Sequence, residues 1–211
     1  MKKRLLVPLA ILSCLLAGCA GKQLPQKPQP SGFLGGPQLY SAMSRDRYIQ
    51  GGLVYRATPR PAPMFDSYIV PPVSIHLNAE GQARDISKDD LNELAEQFRS
   101  EVIVALGSRY QVIDVPASGV GILRMAITDA YPNTVLMNLP VIALLTGGAY
   151  GGASLEAELV DSVSGSTVAA LMVSDSGQNH SFTSSMTKWG ETDAVLRDWA
   201  KLIAYNLDQP R

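Results

Sequence analysis

The chain has 211 residues, with 18 Lys and Arg against 19 Asp and Glu, and 46% of it is hydrophobic. That balance lacks the basic footprint of a nucleic-acid binder. The length suits one domain and a tail, at the usual ~100–200 residues per domain. With only Cys14 and Cys19 available, and both assigned below to a leader and an anchor, a disulfide framework is excluded and stability falls to a packed core.

The chain opens on Lys2, Lys3 and Arg4, followed by an apolar run from Leu5 to Leu16 and then Ala17-Gly18-Cys19. A basic start, a short apolar stretch and small residues at a cut are the parts of a secretory signal. The run is too short for a spanning helix, which needs ~20 apolar residues. Leu16-Ala17-Gly18-Cys19 resembles the bacterial lipoprotein signal, in which the cut falls before the cysteine. The resemblance implies that Cys19 carries a diacylglyceryl group and an N-linked acyl chain such as palmitate. It also implies, from Ala20 in place of Asp, retention at the outer membrane with the domain facing the periplasm. Several chains on one residue anchor stably, since each buried methylene contributes ~0.8 kcal/mol and one chain alone is marginal. Loss of residues 1–18 removes three basic groups, leaving 15 basic against 19 acidic side chains and a mature balance of −4.

Residues 19–37 read as lipidated cysteine and tether. Pro25, Pro28, Pro30 and Pro37 stand among Gln, Lys and Gly, a composition that buries too little apolar surface to offset ordering. The domain proper is expected over 38–211. Gly52 to Arg56 predicts a short strand, broken by the prolines at 59, 61 and 63. Tyr68 to Leu77 predicts another, with Pro71 and Pro72 confining that end to an edge or bulge. Val73, Ile75 and Leu77 alternate with Ser74 and His76, which indicates one buried face.

Ser87 can cap a helix, with Asp89 and Asp90 at the positive end of its dipole. Leu91, Leu94, Ala95, Phe98, Val102, Ala105 and Leu106 form its apolar stripe, and Gly107 ends it. Tyr110 to Val115 predicts a strand, so residues 68–115 form a β-α-β unit. Strands follow over Ile122–Ala130 and from Ala153, where Glu156 and Glu158 alternate with Leu155, Ala157 and Leu159 and so read as an exposed face. A hairpin turn around Gly165 leads to a partner strand over Thr167–Ser174. Ser176–Lys188 reads as loop. The last helix starts near Thr192, with Val195, Leu196, Trp199, Leu202 and Ile203 on one side.

Between these strands Val135 to Leu145 is apolar all round, interrupted by Asn138 and Pro140 and followed by the glycine run 147–152. It is either core or an interaction surface presenting Leu136, Leu139, Ile142 and Leu145, because exposed apolar patches mark partner or membrane contacts.

Ser31-Gly32-Phe33-Leu34, Ala126-Ile127-Thr128-Asp129-Ala130, Glu156-Ala157-Glu158-Leu159 with Asp161-Ser162, and Trp199-Ala200 resemble bacterial lipoproteins classed under domain of unknown function 3313. The resemblance spans the mature chain and implies an envelope lipoprotein with no assigned reaction.

Catalytic constellations are weak. His76 and His180 are about a hundred residues apart, and zinc needs three or four converging ligands, so no metal site is expected. No Gly-x-Ser-x-Gly elbow occurs; Ser154 and Ser176 merely lie near glycines. The glycine run lacks the Lys-Ser/Thr of a phosphate loop, so no nucleotide cofactor is expected. Asp129, Glu156, Glu158 and Asp161 could serve acid-base chemistry, yet read more simply as exposed or turn residues. The expectation is therefore an α+β two-layer sandwich, a mostly antiparallel sheet of about five strands with two helices on one face. No catalytic or cofactor-binding residue is assigned. Its expected role is a lipid-anchored, non-catalytic accessory or binding module for an envelope component, with an envelope protein as a candidate partner. The alternatives are an envelope hydrolase with a triad assembled from scattered Ser, His and Asp, and a lipoprotein binding small apolar ligands.

Overall fold

The computed structural model describes residues 27–46, 48–58, 65–134, 150–176 and 187–207. Their core is an open, mixed sheet of eight strands. Two long strands form its centre, β6 (Val120–Tyr131) and β7 (Gly152–Asp161), and β8 (Thr167–Ser176) returns beside β7. Flanking them are β1 (Ser44–Arg45), β2 (Leu53–Arg56), β3 (Ser67–Ile69), β4 (Ser74–Ile75) and β5 (Gln111–Val112). The order is β1-β2-β8-β7-β6-β3-β5, with β4 also on β6.

Four helices accompany the sheet: α1 (Pro37–Ala42), α2 (Ala79–Gln82), α3 (Lys88–Gly107) and α4 (Gly190–Leu207). The α+β class holds, but five antiparallel strands and two helices understate it. β3 and β4 run parallel to β6, and β5 runs parallel to β3. The parallel β3–β5 pair around α3 is the β-α-β unit expected over 68–115. Pro71 and Pro72 split the anticipated long strand into β3 and β4, since neither can donate to a ladder.

Local signals explain the clearest elements. The Ser87 hydroxyl accepts from the Asp90 amide at 3.1 Å and caps α3, with Asp89 and Asp90 in the first turn. Gly165 joins β7 to β8 at φ +70°, a conformation that side chains beyond Cα disfavour. Asp161 opens this turn, its carboxylate accepting from the Ser164 and Val163 amides and the Ser164 hydroxyl. Those bonds, the Ser164 amide foremost, hold it below the usual carboxylate range.

The main core lies between one sheet face and the paired helices α3 and α4. Leu123, Met125 and Ile127 of β6 and Leu155, Ala157 and Leu159 of β7 meet Leu94, Phe98 and Val102 of α3 and Val195, Leu196 and Trp199 of α4. Phe98 and Val102 are fully enclosed.

The opposite face is also covered. Residues 31–43 cross it as a strap, and Leu34 packs with Ala170 and Met172, flanked by Phe33, Leu39, Tyr40 and Met43. The expected tether therefore ends before residue 37, because Leu34 is buried. This strap also corrects the reading of β7: Glu156 and Glu158 do point away from the helices, but both are buried, at 1% and 4% exposure.

Candidate functional site

Three places in the fold gather chemistry. At the first, Glu156 receives the strap. One carboxylate oxygen accepts from the Ser31 amide at 2.7 Å, and the other accepts from the Tyr40 hydroxyl at 2.8 Å. The Tyr40 oxygen in turn accepts from the amides of Gly32 and Leu34, and the Ser31 hydroxyl accepts from Phe33. A buried carboxylate needs such partners, since an unpaired buried charge is costly. Burial, reinforced by the Glu156 bond, pushes the Tyr40 hydroxyl up to about 12. Two of the sequence stretches that carried the family resemblance, Ser31–Leu34 and Glu156–Leu159, thus meet across 125 residues of chain.

The second place is the end of the sheet where β6 stops and α4 begins. The Asp129 carboxylate accepts from Arg84 Nε at 2.9 Å and from the Ala130 amide. Burial raises its pKa while Arg84 works against that rise. Arg84 also stacks 3.6 Å above the Tyr131 ring. Burial, first of all, raises the Tyr131 hydroxyl as well. Asp129 Oδ2 and the Tyr131 hydroxyl are enclosed without a hydrogen bond of normal geometry. Nearby, Thr192 donates to the Tyr131 carbonyl at 2.7 Å, and Glu191, fully buried, accepts from the Gly151 amide. A Cβ on Gly151 would collide with Asn133 Oδ1 and crowd the Tyr131 carbonyl, so this member of the glycine run serves close backbone approach. These bonds lock α4 to the sheet.

The third place is a cleft of about 80 Å³ between the helix-side face of the sheet and the last turn of α4. Val54, Leu123, Leu159, Leu202 and Ile203 line it, with Asn206 at the wall. Nothing in the sequence pattern announced it, since its apolar lining residues read as ordinary core.

The acid-base candidates are not brought together. Asp129 pairs with Arg84, Glu156 holds the strap, and Glu158 bonds Arg124 and Thr167. Asp161 sits in the hairpin turn. The Ser154 hydroxyl is buried and donates to Ser174 at 3.0 Å; Ser176 ends β8. His76 is exposed beside the Phe33 ring at 6.2 Å, and His180 lies outside the described residues. Among the described residues, no group of three or more His, Cys, Asp or Glu could hold a metal. Also among them, no helix is long and apolar enough to cross a membrane. Cys19 and the segment with Leu136, Leu139, Ile142 and Leu145 lie outside the described residues as well.

The fold defines a class: an α+β domain with two helices on one face of a mixed sheet and a strap on the other. Over residues 29–203 the chain matches the family described as Protein of unknown function (DUF3313), and it belongs to that family. Among curated proteins none matches it. Solved structures similar to it include a single-substitution variant of the PelC dodecamer and the PelC dodecamer itself, both from Paraburkholderia phytofirmans. These are 12% and 13% identical, cover 76% of this chain and 99% of theirs, and have TM-scores of 0.46 and 0.47. A Xanthomonas campestris protein of family DUF330 is 12% identical, with a TM-score of 0.35, covering 72% of this chain and 88% of its own. Likenesses this low carry no argument about assembly or activity.

Proposed function

We propose that this chain is an outer-membrane lipoprotein, anchored through Cys19, whose periplasmic domain is a non-catalytic binding or accessory module for an envelope protein. One observation carries the reading. The strap is fastened to the sheet at Ser31, only twelve residues after Cys19. At the ~3.3–3.6 Å per residue of extended chain, twelve residues reach at most about 40 Å. Lipid at Cys19 would therefore hold the domain close to the bilayer, and the Glu156 clamp would take up the pull of the tether within the sheet itself.

A binding rather than catalytic role is favoured by the employment of the buried carboxylates. Glu156, Glu158, Asp129 and Glu191 each accept bonds that fix the strap, a strand pair, α2 or α4. A catalytic acid or base needs a carboxyl within reach of a substrate. The apolar segment 135–145 is where this reading places the partner contact.

Fractionation tests the anchor: Cys19→Ala should leave the membrane fraction, and a variant that still matures and sediments with membranes like the parent would overturn the reading. Crosslinking in cells tests the partner. Paired Ser substitutions among Leu136, Leu139, Ile142 and Leu145 should abolish crosslinks while stability stays unchanged; a collapse in stability would place the segment in the core instead.

A further inference from the structure

We infer that the strap is a stored length of tether. It lifts off the sheet as a unit, without unfolding the domain, and its release roughly doubles the distance at which the domain can stand from the bilayer. Its purpose rests on the anchored-module reading, but the lifting itself requires no anchor.

Three observations point to it. The first is how little fastens the strap. Among the described residues, both hydrogen bonds between strap and sheet end on the Glu156 carboxylate, one from the Ser31 amide and one from the Tyr40 hydroxyl. Other bonds of residues 31–43 close on the strap itself. The Gly32 and Leu34 amides donate to Tyr40 Oη, the Phe33 amide to Ser31 Oγ, and the Gly35 amide to the Gly32 carbonyl.

The second is separateness. Leu34, Ala170 and Met172 form an apolar cluster apart from the helix-face core, so lifting removes contacts from one side of the sheet only. It strands no buried polar group. Glu156 meets water as its cover leaves, and Tyr40 keeps its two amides, which avoids the penalty of an unpaired buried charge. Units bounded in this way open locally, below the free energy of global unfolding.

The third is where the strap is attached. One end continues into the tether, and the other passes through Met43 into β1, which is paired with β2. A pull from the bilayer reaches Ser31 first, then Tyr40, and stops at the sheet. The lifted chain does not stay folded as a helix: α1 has six residues, no buried side chain and no side-chain cap, and isolated helices need ~12–15 residues. Release moves the fixed point from Ser31 to Ser44, twenty-five residues after Cys19. At ~3.3–3.6 Å per residue the reach grows from about 40 Å to about 85 Å.

Adjacent residues of β8 supply the reporters. Met172 faces the strap and Val173 faces the helices, and each is 1% exposed. Met172→Cys and Val173→Cys, in the full chain, are treated with a small neutral thiol reagent, and modification is read peptide by peptide in a mass spectrometer. Met172→Cys should react about a hundredfold faster, since it waits for local opening while Val173→Cys waits for global unfolding. Adding Glu156→Gln, which leaves one acceptor oxygen for two donors, should speed Met172→Cys about tenfold. Adding Phe98→Leu, which weakens the helix-face core, should speed Val173→Cys and leave Met172→Cys unchanged.

Reach is read in vesicles of phosphatidylethanolamine and phosphatidylglycerol that carry an acceptor dye on a lipid headgroup. The donor dye sits on Val163→Cys at the exposed hairpin tip. Leu34→Ser with Glu156→Gln removes both fastenings and should lower energy transfer below that of the parent.

Equal reaction of Met172→Cys and Val173→Cys, or acceleration of both by Phe98→Leu, would overturn the lifting. Lifting without loss of transfer would overturn the stored length. A chain that fails to join the vesicles would overturn the anchor and the stored length together, while the labelling rates still decide whether the strap lifts.

Discussion

The two faces of the sheet are built on opposite principles. The helix face is almost wholly hydrocarbon, with Leu123, Met125, Ile127, Leu155 and Leu159 packed on α3 and α4. The strap face pairs a small apolar cluster around Leu34, Ala170 and Met172 with buried Glu156, Glu158 and Ser154. The difference teaches that alternation along a strand reports chemistry, not exposure. In β7 the polar set is as deeply buried as the apolar set: the strap brings donors to Glu156, and the neighbouring strands supply Arg124 and Thr167 to Glu158 and Ser174 to Ser154.

The faces should respond differently to damage. Phe98→Ala and Trp199→Ala remove large side chains from the helix face, and each should cost ~3–5 kcal/mol in denaturant melts. Losses below ~1 kcal/mol would place those residues outside the core. Next comes Glu156→Ala, which strands the Ser31 amide and the Tyr40 hydroxyl. Bonds to a charged group are worth ~1.5–3 kcal/mol, so a loss of about 2 kcal/mol is expected. Faster proteolysis within residues 31–43 should accompany it. Unchanged proteolysis would mean that the apolar contacts of Leu34 hold the strap alone.

Tyr40→Phe should have a smaller effect, about 1 kcal/mol at neutral pH, the worth of a typical net hydrogen bond. It also carries a pH signature. The folded Tyr40 hydroxyl is raised from 10.0 to about 12. A raised pKa leaves its stabilisation intact below the unfolded value and removes it as pH climbs from 10 towards 12. Stability of the parent should therefore fall more steeply across that window than stability of Tyr40→Phe; identical slopes would sever Tyr40 from the clamp. Smallest of all, Val104→Thr on the exposed side of α3 should stay within about 0.5 kcal/mol. A larger change would mean that this side of the helix is covered.

Much of the helix face was legible in the sequence. The Ser87 cap, the Leu91–Leu106 stripe and the Trp199 stripe are local, repeated patterns, and the hairpin around Gly165 is a local turn. The strap face was not legible. Glu156 finds its partners 116 and 125 residues away, and no window of neighbouring residues contains that relation. The same holds for β1, two residues long and too short to show a period of two, whereas β4 and β5 fall inside the strands expected at 68–77 and 110–115. Pairing direction was legible for β3 and β5, through the β-α-β unit around α3, but not for the parallel pairing of β3 and β4 with β6, which depends on the chain returning past α3. At the sites, Asp129 read as an acid-base candidate or an exposed or turn residue, whereas it is buried and paired with Arg84, 45 residues earlier. The cleft had no signature, because its apolar lining residues lie on elements far apart in the chain.

The covalent state of Cys19 decides the proposed role, since the strap bears a load only if a lipid-anchored tether pulls on it. Mass spectrometry of the tryptic N-terminal peptide from the membrane-extracted chain reads that state directly. The predicted result is a peptide beginning at Cys19 and ending at Lys22, with a diacylglyceryl group on sulfur and an acyl chain on the α-amine. An unmodified Cys19, or a peptide that continues upstream through Gly18, would contradict it.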